Sequence, residues 1–397
     1  MGILPVRKRA ERSCCGSVSR GLWLSLGLVV VLYGSASATM SGICADCHTM
    51  HNSQDNAPMN FDGSTTANEY LTRGTCYGCH AQGGGTVTVV QGTSIIPQVM
   101  HSDTKHLAAG NFGYITGMAG SGAADNKGHN IADLTGSDSV LYGPPGGIRQ
   151  SFHYDGGTVN TDNLTCAGTN GCHGYRYAAS SYPEGISGAH HKNVGGQLTV
   201  ADEVGNSYRF IMGVQGYESD DWQENATSGN HNEYLALDAP VQLGCSGGAV
   251  LSCHVSGAGV QAPDGTMSQF CATCHGNFHT LTVGDGTDNA PGNSSGVGAV
   301  ANSPFIRHPT DLSLPAIGEY AAYTSYDLQS PVARLAVPAT SNSSVVPGSD
   351  AVMCLSCHVS HASNYPSMLR WDYDLMIAGN GGGASGSGCF SCHTTKD

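Results

Sequence analysis

Fourteen of the sixteen cysteines fall into seven pairs, and in every pair the second cysteine is followed directly by a histidine. Five pairs have the spacing C-x-x-C-H: Cys44/Cys47/His48, Cys76/Cys79/His80, Cys271/Cys274/His275, Cys354/Cys357/His358 and Cys389/Cys392/His393. Two keep the C-H ending with a longer spacer, Cys166/Cys172/His173 and Cys245/Cys253/His254. Zinc knuckles draw on such pairs to complete four ligands but give no reason for an invariable following histidine. Disulfides give none either.

Covalent haem explains all three positions at once. Two thiols add to the two haem vinyl groups as thioethers, and the adjacent imidazole binds the iron. A two-residue spacer suits one short helical turn, and a longer spacer loops out. The sequence therefore predicts about seven haem c groups, with a Cys245–Cys253 disulfide as the other reading of the longest spacer. The predicted proximal iron ligands are His48, His80, His173, His254, His275, His358 and His393.

The rest of the composition makes sense only with such a group. With 56 glycines and 7 % aromatic residues, the side chains bury too little apolar area to offset the ordering of so flexible a backbone. Stacked haems supply the missing core, and thioethers and iron–histidine bonds act as staples. The expected fold is mostly irregular coil with a few short α-helices, turned at the C-H motifs. No repeat of fixed period is visible. The acidic run Glu218, Asp220 and Asp221 reads as a solvated loop.

The first 38 residues read as an export signal. Arg7, Lys8, Arg9, Arg12 and Arg20 precede an apolar run from Gly21 to about Tyr33, and Ala36-Ser37-Ala38 offers a cleavage site. The run is short for a membrane span of roughly 20 residues. Cys14 and Cys15 precede it and belong to no pair. Residues 39–397 then form a single haem-stapled domain. Without the signal the chain keeps 11 basic and 29 acidic residues, a formal charge of −18, which argues against nucleic acid as a partner.

Eleven histidines remain for the second axial position. His51 follows His48 by three, His361 follows His358 by three, and His279 follows His275 by four. Within one turn, such pairs point to the same side and cannot take opposite faces of one iron. The second histidine must serve another haem. His129 and His308, in polar loops, read as ligands. One of His190/His191 is expected to bind iron, and His101 and His106 compete for another site. His231 is an even candidate, and His153 reads as structural. Bis-histidine ligation lowers the potential relative to His/Met and closes the iron to substrate.

Several blocks resemble a known family. Ile43 to Ser53 (ICADCHTMHNS), Lys127 to Ile131, Phe270 to His279, Arg307-His308-Pro309, Cys354 to Arg370 (CLSCHVSHASNYPSMLR) and the ending from Cys392 to Asp397 are similar to the OmcS-like outer-surface multihaem cytochromes. The resemblance implies a continuous stack of bis-histidine haems, subunits polymerised into conductive filaments, and electron delivery to extracellular acceptors such as metal oxides or electrodes. It also implies that His51 ligates a haem of the neighbouring subunit, with other copies of the chain and redox cytochromes as partners. Two features depart from the six-haem pattern: the expanded Cys166/Cys172 spacer and the extra Cys245/Cys253 pair. The rival function is a periplasmic multihaem reductase, of the nitrite-reductase kind, with one open iron. No C-x-x-C-K motif, which would mark such an iron, occurs. An electron carrier, not an enzyme, is the preferred reading.

Overall fold

The structure, a computed structural model, describes residues 42–81, 88–91, 94–102, 107–120, 122–135, 154–155, 158–159, 164–168, 171–175, 185–186, 195–201, 203–238, 264–275, 278–279, 308–379 and 386–396. The chain divides into Met1–Ser37 and Ala38–Asp397, and all described residues lie in the second unit.

Regular structure is sparse, as a glycine-rich chain requires. The α-helices among the described residues are one or two turns at most: α1 (Cys44–Cys47), α2 (Cys76–His80), α3 (Gly113–Thr116), α4 (Ala132–Thr135), α5 (Met267–Ala272) and α6 (Cys389–Cys392). Four of the six contain motif cysteines. Cys354–Ser356 forms the tighter 3₁₀ turn instead. The strands are two to four residues long, and the largest sheet joins Gly196–Leu198, Gly216–Glu218 and Glu233–Tyr234 in antiparallel order.

Two motifs depart from the helical expectation. Cys166 and Cys172 lie on two short parallel strands, Thr165–Ala167 and Gly171–His173. A five-residue spacer is too long for one helical turn to bring its thiols together, so the chain doubles back. Gly171 permits this, since a Cβ there would sit 2.3 Å from the Ala167 main chain.

The other departure is Cys274. Helix α5 ends at Ala272, so it holds Cys271 but not Cys274, which lies on the turn beyond it. The cause is Thr273, which occupies the Phe270 carbonyl with its main-chain N–H at 3.1 Å and its hydroxyl at 2.8 Å. The Cys274 N–H turns to the Cys271 carbonyl, three residues back, at 3.1 Å. The helix thus closes on a tighter final turn.

Apolar side chains form small separate clusters rather than one core. One packs Leu198, Tyr208, Met267, Phe270 and Met353 with Cys172 and Cys271 at its rim. A second packs Met100, Phe112, Tyr114 and Ile115 beside Cys166. A third gathers Leu314, Tyr323 and Tyr326 beside Cys392. Each of these three clusters carries at least one motif cysteine at its edge, where a covalently held apolar group would extend it.

Between the first and third clusters lies a buried charge network. Arg334 donates to Glu233 at 2.9 Å, to Asp350, and to the carbonyls of Asn342 and Ser344. A buried guanidinium needs this full set of acceptors, because an unpaired buried charge is costly. Glu218 also departs from its expectation as a solvated loop residue. It is 5 % exposed and accepts the main-chain N–H of Arg209.

Candidate haem sites

Thiols of successive motifs adjoin in chain order. Cys47 adjoins Cys79, Cys76 adjoins Cys166, and Cys271 adjoins Cys354. Cys172 lies within electrostatic reach of Cys271, and Cys357 within reach of Cys389 and Cys392. Cys274 is placed differently. It lies within reach of its own pair-mate Cys271 and of His129, and its Sγ is 3.9 Å from Thr273 Oγ1. None of the twelve described motif cysteines is in a disulfide. The motifs therefore follow one another through space as they do along the sequence, with the Cys245/Cys253/His254 motif outside the described residues.

The histidines are held in ligating form. Nδ1 of His48 lies 3.2 Å from the Tyr70 carbonyl, His80 2.8 Å from Pro97, His173 2.8 Å from Arg209 and His358 2.7 Å from Ser367. Among the non-motif candidates, Nδ1 of His129 lies 2.7 Å from the Ser360 carbonyl and that of His308 3.1 Å from Pro309. A carbonyl only accepts, so each Nδ1 carries the proton and leaves the Nε2 lone pair for a metal. This is the usual outer-shell arrangement of metal-bound imidazoles. Burial holds His80, His129, His173, His308 and His358 below the ordinary imidazole range, which keeps them neutral. His361 is pushed down to about 3, because burial is joined by the nearby His173 and His129.

Three motif histidines face three of the predicted second ligands. Ring centres are 6.1 Å apart for His275 and His129, 6.3 Å for His173 and His361, and 6.1 Å for His393 and His308. Two imidazoles that bind one metal from opposite faces, through bonds of about 2 Å, hold their ring centres roughly 6 Å apart. The donor set and its spacing fit a bis-histidine iron. Cys274, beside His129, belongs to the first of these three sites.

Three of the four carbonyls that hold motif histidines come from an unusual backbone. Tyr70/Leu71, Arg209/Phe210 and Ser367/Met368 are consecutive non-glycine pairs with φ between 50° and 59°. Such residues cost about 1–3 kcal/mol each and persist only where the surroundings enforce them. In each case the first member accepts from the histidine Nδ1. The second accepts from the residue after that histidine: Thr49 donates to Leu71 at 2.6 Å, Gly174 to Phe210 at 2.7 Å, Val359 to Met368 at 2.9 Å. Around His48 and His358 the match continues, since Arg73 and Arg370 donate their N–H groups to Cys47 and Cys357. Segments 44–73 and 354–370 are thus two copies of one holding module, each of the form C-x-x-C-H-x-x-H…Arg.

The remaining candidates are placed differently. His231 is fully buried, stacked on Tyr326 at 3.6 Å, and both ring nitrogens are engaged, Nδ1 by the Thr227 carbonyl and Nε2 by Glu233. His279 is 1 % exposed, with Nε2 2.9 Å from Asp311 and the ring close to Cys354. His101 is buried where its main chain exchanges hydrogen bonds with the Asn111 side chain. His51 is exposed. His106, His153, His190, His191 and His254 lie outside the described residues.

Comparison with known proteins shows what the chain is similar to. The doubled CXXCH motif family matches residues 347–397, the second copy of the module and the motif after it. The C-type cytochrome OmcS of Geobacter sulfurreducens is 26 % identical over 381 residues, covering 86 % of this chain and 82 % of that protein. The chain is similar to the OmcS-type multihaem cytochromes c. Two solved structures are also similar to this chain. The Outer Membrane Cytochrome S filament from Geobacter sulfurreducens has a TM-score of 0.40 and 18 % identity over 85 % of both chains. The OmcS nanowires from the same organism have a TM-score of 0.41 and 21 % identity over 84 % of both chains.

Proposed function

We propose that this chain is a heptahaem, bis-histidine electron carrier that works outside the cell and polymerises into filaments. Residues 1–38 are the export signal and residues 39–397 one haem-bearing domain. When bound, haem supplies the one-electron ferric/ferrous couple. The observation that carries the reading is the set of three histidine pairs at 6.1–6.3 Å, each joining a motif histidine to a non-motif one.

The chain's own residues do the rest. The paired thiols anchor each group, with Cys271 and Cys274 holding that of His275 and with Cys245 and Cys253 taken as the attachment for the seventh. The Nδ1 carbonyl bonds fix which nitrogen faces the metal, and His129, His361 and His308 would close the second face of their sites. Closed faces suit electron relay and leave no position for a small substrate. His231, spent on Glu233 and Thr227, is assigned a structural role.

The duplicated module bears on assembly. His361 serves a site outside its own motif, that of His173, and His51 is its equivalent in the first copy. His51 is exposed, so we assign it to the first free site of a neighbouring copy. The sequence resemblance to the OmcS-like cytochromes supports the same assembly, an outer-surface location, and extracellular acceptors with other cytochromes as redox partners.

Low-temperature EPR of the oxidised protein tests this reading. Entirely low-spin iron is expected. A substantial high-spin signal, or tight cyanide binding at one site, would point to the reductase instead.

A further inference from the structure

Along the motif histidines, the group facing Nδ1 is a main-chain carbonyl at His48, His80, His173 and His358. At His393 it is a carboxylate. Glu319 Oε1 lies 3.2 Å from His393 Nδ1, a charge contact outside hydrogen-bond geometry, with side-chain exposures of 15 % and 25 %. Glu319 sits on the 3₁₀ turn Gly318–Ala322, and Thr394 Oγ1 donates to its main-chain carbonyl, which locks the turn against the residue after His393. Lys396 Nζ reaches the same Oε1 at 3.4 Å but is 58 % exposed. Tyr320 edges the imidazole at 5.3 Å and His308 at 6.1 Å, so Glu319 is the one anionic side chain among the groups named here.

We infer that Glu319 is a positioning residue for His393 that sets the last site at a lower reduction potential than a carbonyl partner would. A negative charge 3.2 Å from the ligand imidazole and largely shielded from water stabilises ferric over ferrous iron more than a neutral carbonyl does. Lys396, 3.4 Å from the same oxygen, offsets part of this charge, but it is exposed and its own charge is partly screened. The last site is thereby distinguished electrostatically from the motif sites whose histidines rest on carbonyls. The inference rests on the bis-histidine reading of this site, His393 opposite His308.

Spectroelectrochemical titration of the intact holoprotein, wild type against Glu319→Gln, tests it. Glutamine keeps the shape, and the Thr394 bond survives because it uses the main chain. One haem's share of the absorbance change should move to higher potential by about tenfold in its equilibrium constant, about 59 mV for a one-electron couple. Lys396→Ala should move the same share the other way, and Glu319→Asp should restore part of the wild-type value. The EPR signal of one low-spin component should change with Glu319→Gln while the others stay. Unshifted potentials in Glu319→Gln, with all irons low-spin, would overturn this inference and leave the carrier function standing. A last site that is not low-spin in the wild type would overturn both.

Discussion

His173 and His361 face one another with ring centres 6.3 Å apart at 64°, although His361 belongs by sequence to the motif of His358. The turn that carries His361 is tied down elsewhere, since its main-chain N–H donates to Ala109 at 2.6 Å and its carbonyl accepts from His129 at 3.0 Å. Phe112 stacks on the imidazole at 4.5 Å. One short segment, His358 to His361, thus joins two sites. The ring that faces His361 is that of His173, not that of His358.

Replacing His361 with alanine should therefore damage the site of His173 and not its own motif. All covalent haems should remain, while one iron loses its sixth ligand and becomes high-spin. Loss of the Phe112 stack should cost about 2 kcal/mol of stability. EPR and thermal melting of the variant read both effects. Loss of a covalent haem at Cys354/Cys357 instead would contradict the assignment.

Haem stoichiometry tests the longest spacer. Seven C-H motifs account for fourteen cysteines, so intact mass after removal of residues 1–38 should exceed the polypeptide by seven haems. Six haems with a two-hydrogen loss would assign Cys245 and Cys253 to a disulfide.

The left-handed pairs that hold the motif histidines lead to a prediction about backbone strain. Ser367 is exposed at φ 59°, and its carbonyl is what His358 needs, not its side chain. Ser367→Gly should stabilise the holoprotein by up to about 1 kcal/mol, because glycine adopts this φ freely. Ser367→Val should cost about 1–3 kcal/mol and broaden the low-spin signal of one haem, since a β-branched residue resists the conformation. Equal melting temperatures for the two variants would show that the turn is not strained.

The cysteine pairs and the coil-rich fold were legible because covalent chemistry and composition fix them locally. The reach of His361 was argued from helical spacing, but His358 bridges to Leu369 and residues 358–361 form no helix, so main-chain bonds and not a helical turn aim the two rings. The duplicated module was not. Its two copies share main-chain hydrogen bonds made by Tyr70-Leu71 and Ser367-Met368, residues with no side chain in common, so no fixed period appears. The role of His231 was hidden for another reason. Its partner Glu233 is two residues away, but the Arg334 that fixes Glu233 is brought in only by the fold. The strand form of the Cys166/Cys172 motif follows from its spacer length, a signal that was present and read only as a loop. At Cys274 the signal was a neighbour: Thr273 is a residue whose hydroxyl competes for helix carbonyls, and it caps α5, which ends two residues before the second thiol.

His51→Ala separates assembly from haem attachment. The exposed imidazole is not needed for the fold of its own subunit, so the variant should express with every covalent haem. Electron micrographs should then show no filaments, and one iron per subunit should be open or weakly ligated. Ordinary filaments from this variant would remove His51 from the interface.

A haem relay that runs in motif order with bis-histidine irons has a visible signature. A cryo-EM map of the purified holoprotein, at a resolution that separates individual haems and their ligands, would display it. Iron is expected between His173 and His361, between His275 and His129, and between His393 and His308, with successive haems following the motifs from Cys44 to Cys392. Iron at any of these three motif histidines with a different residue, or nothing, on its second face would contradict the relay.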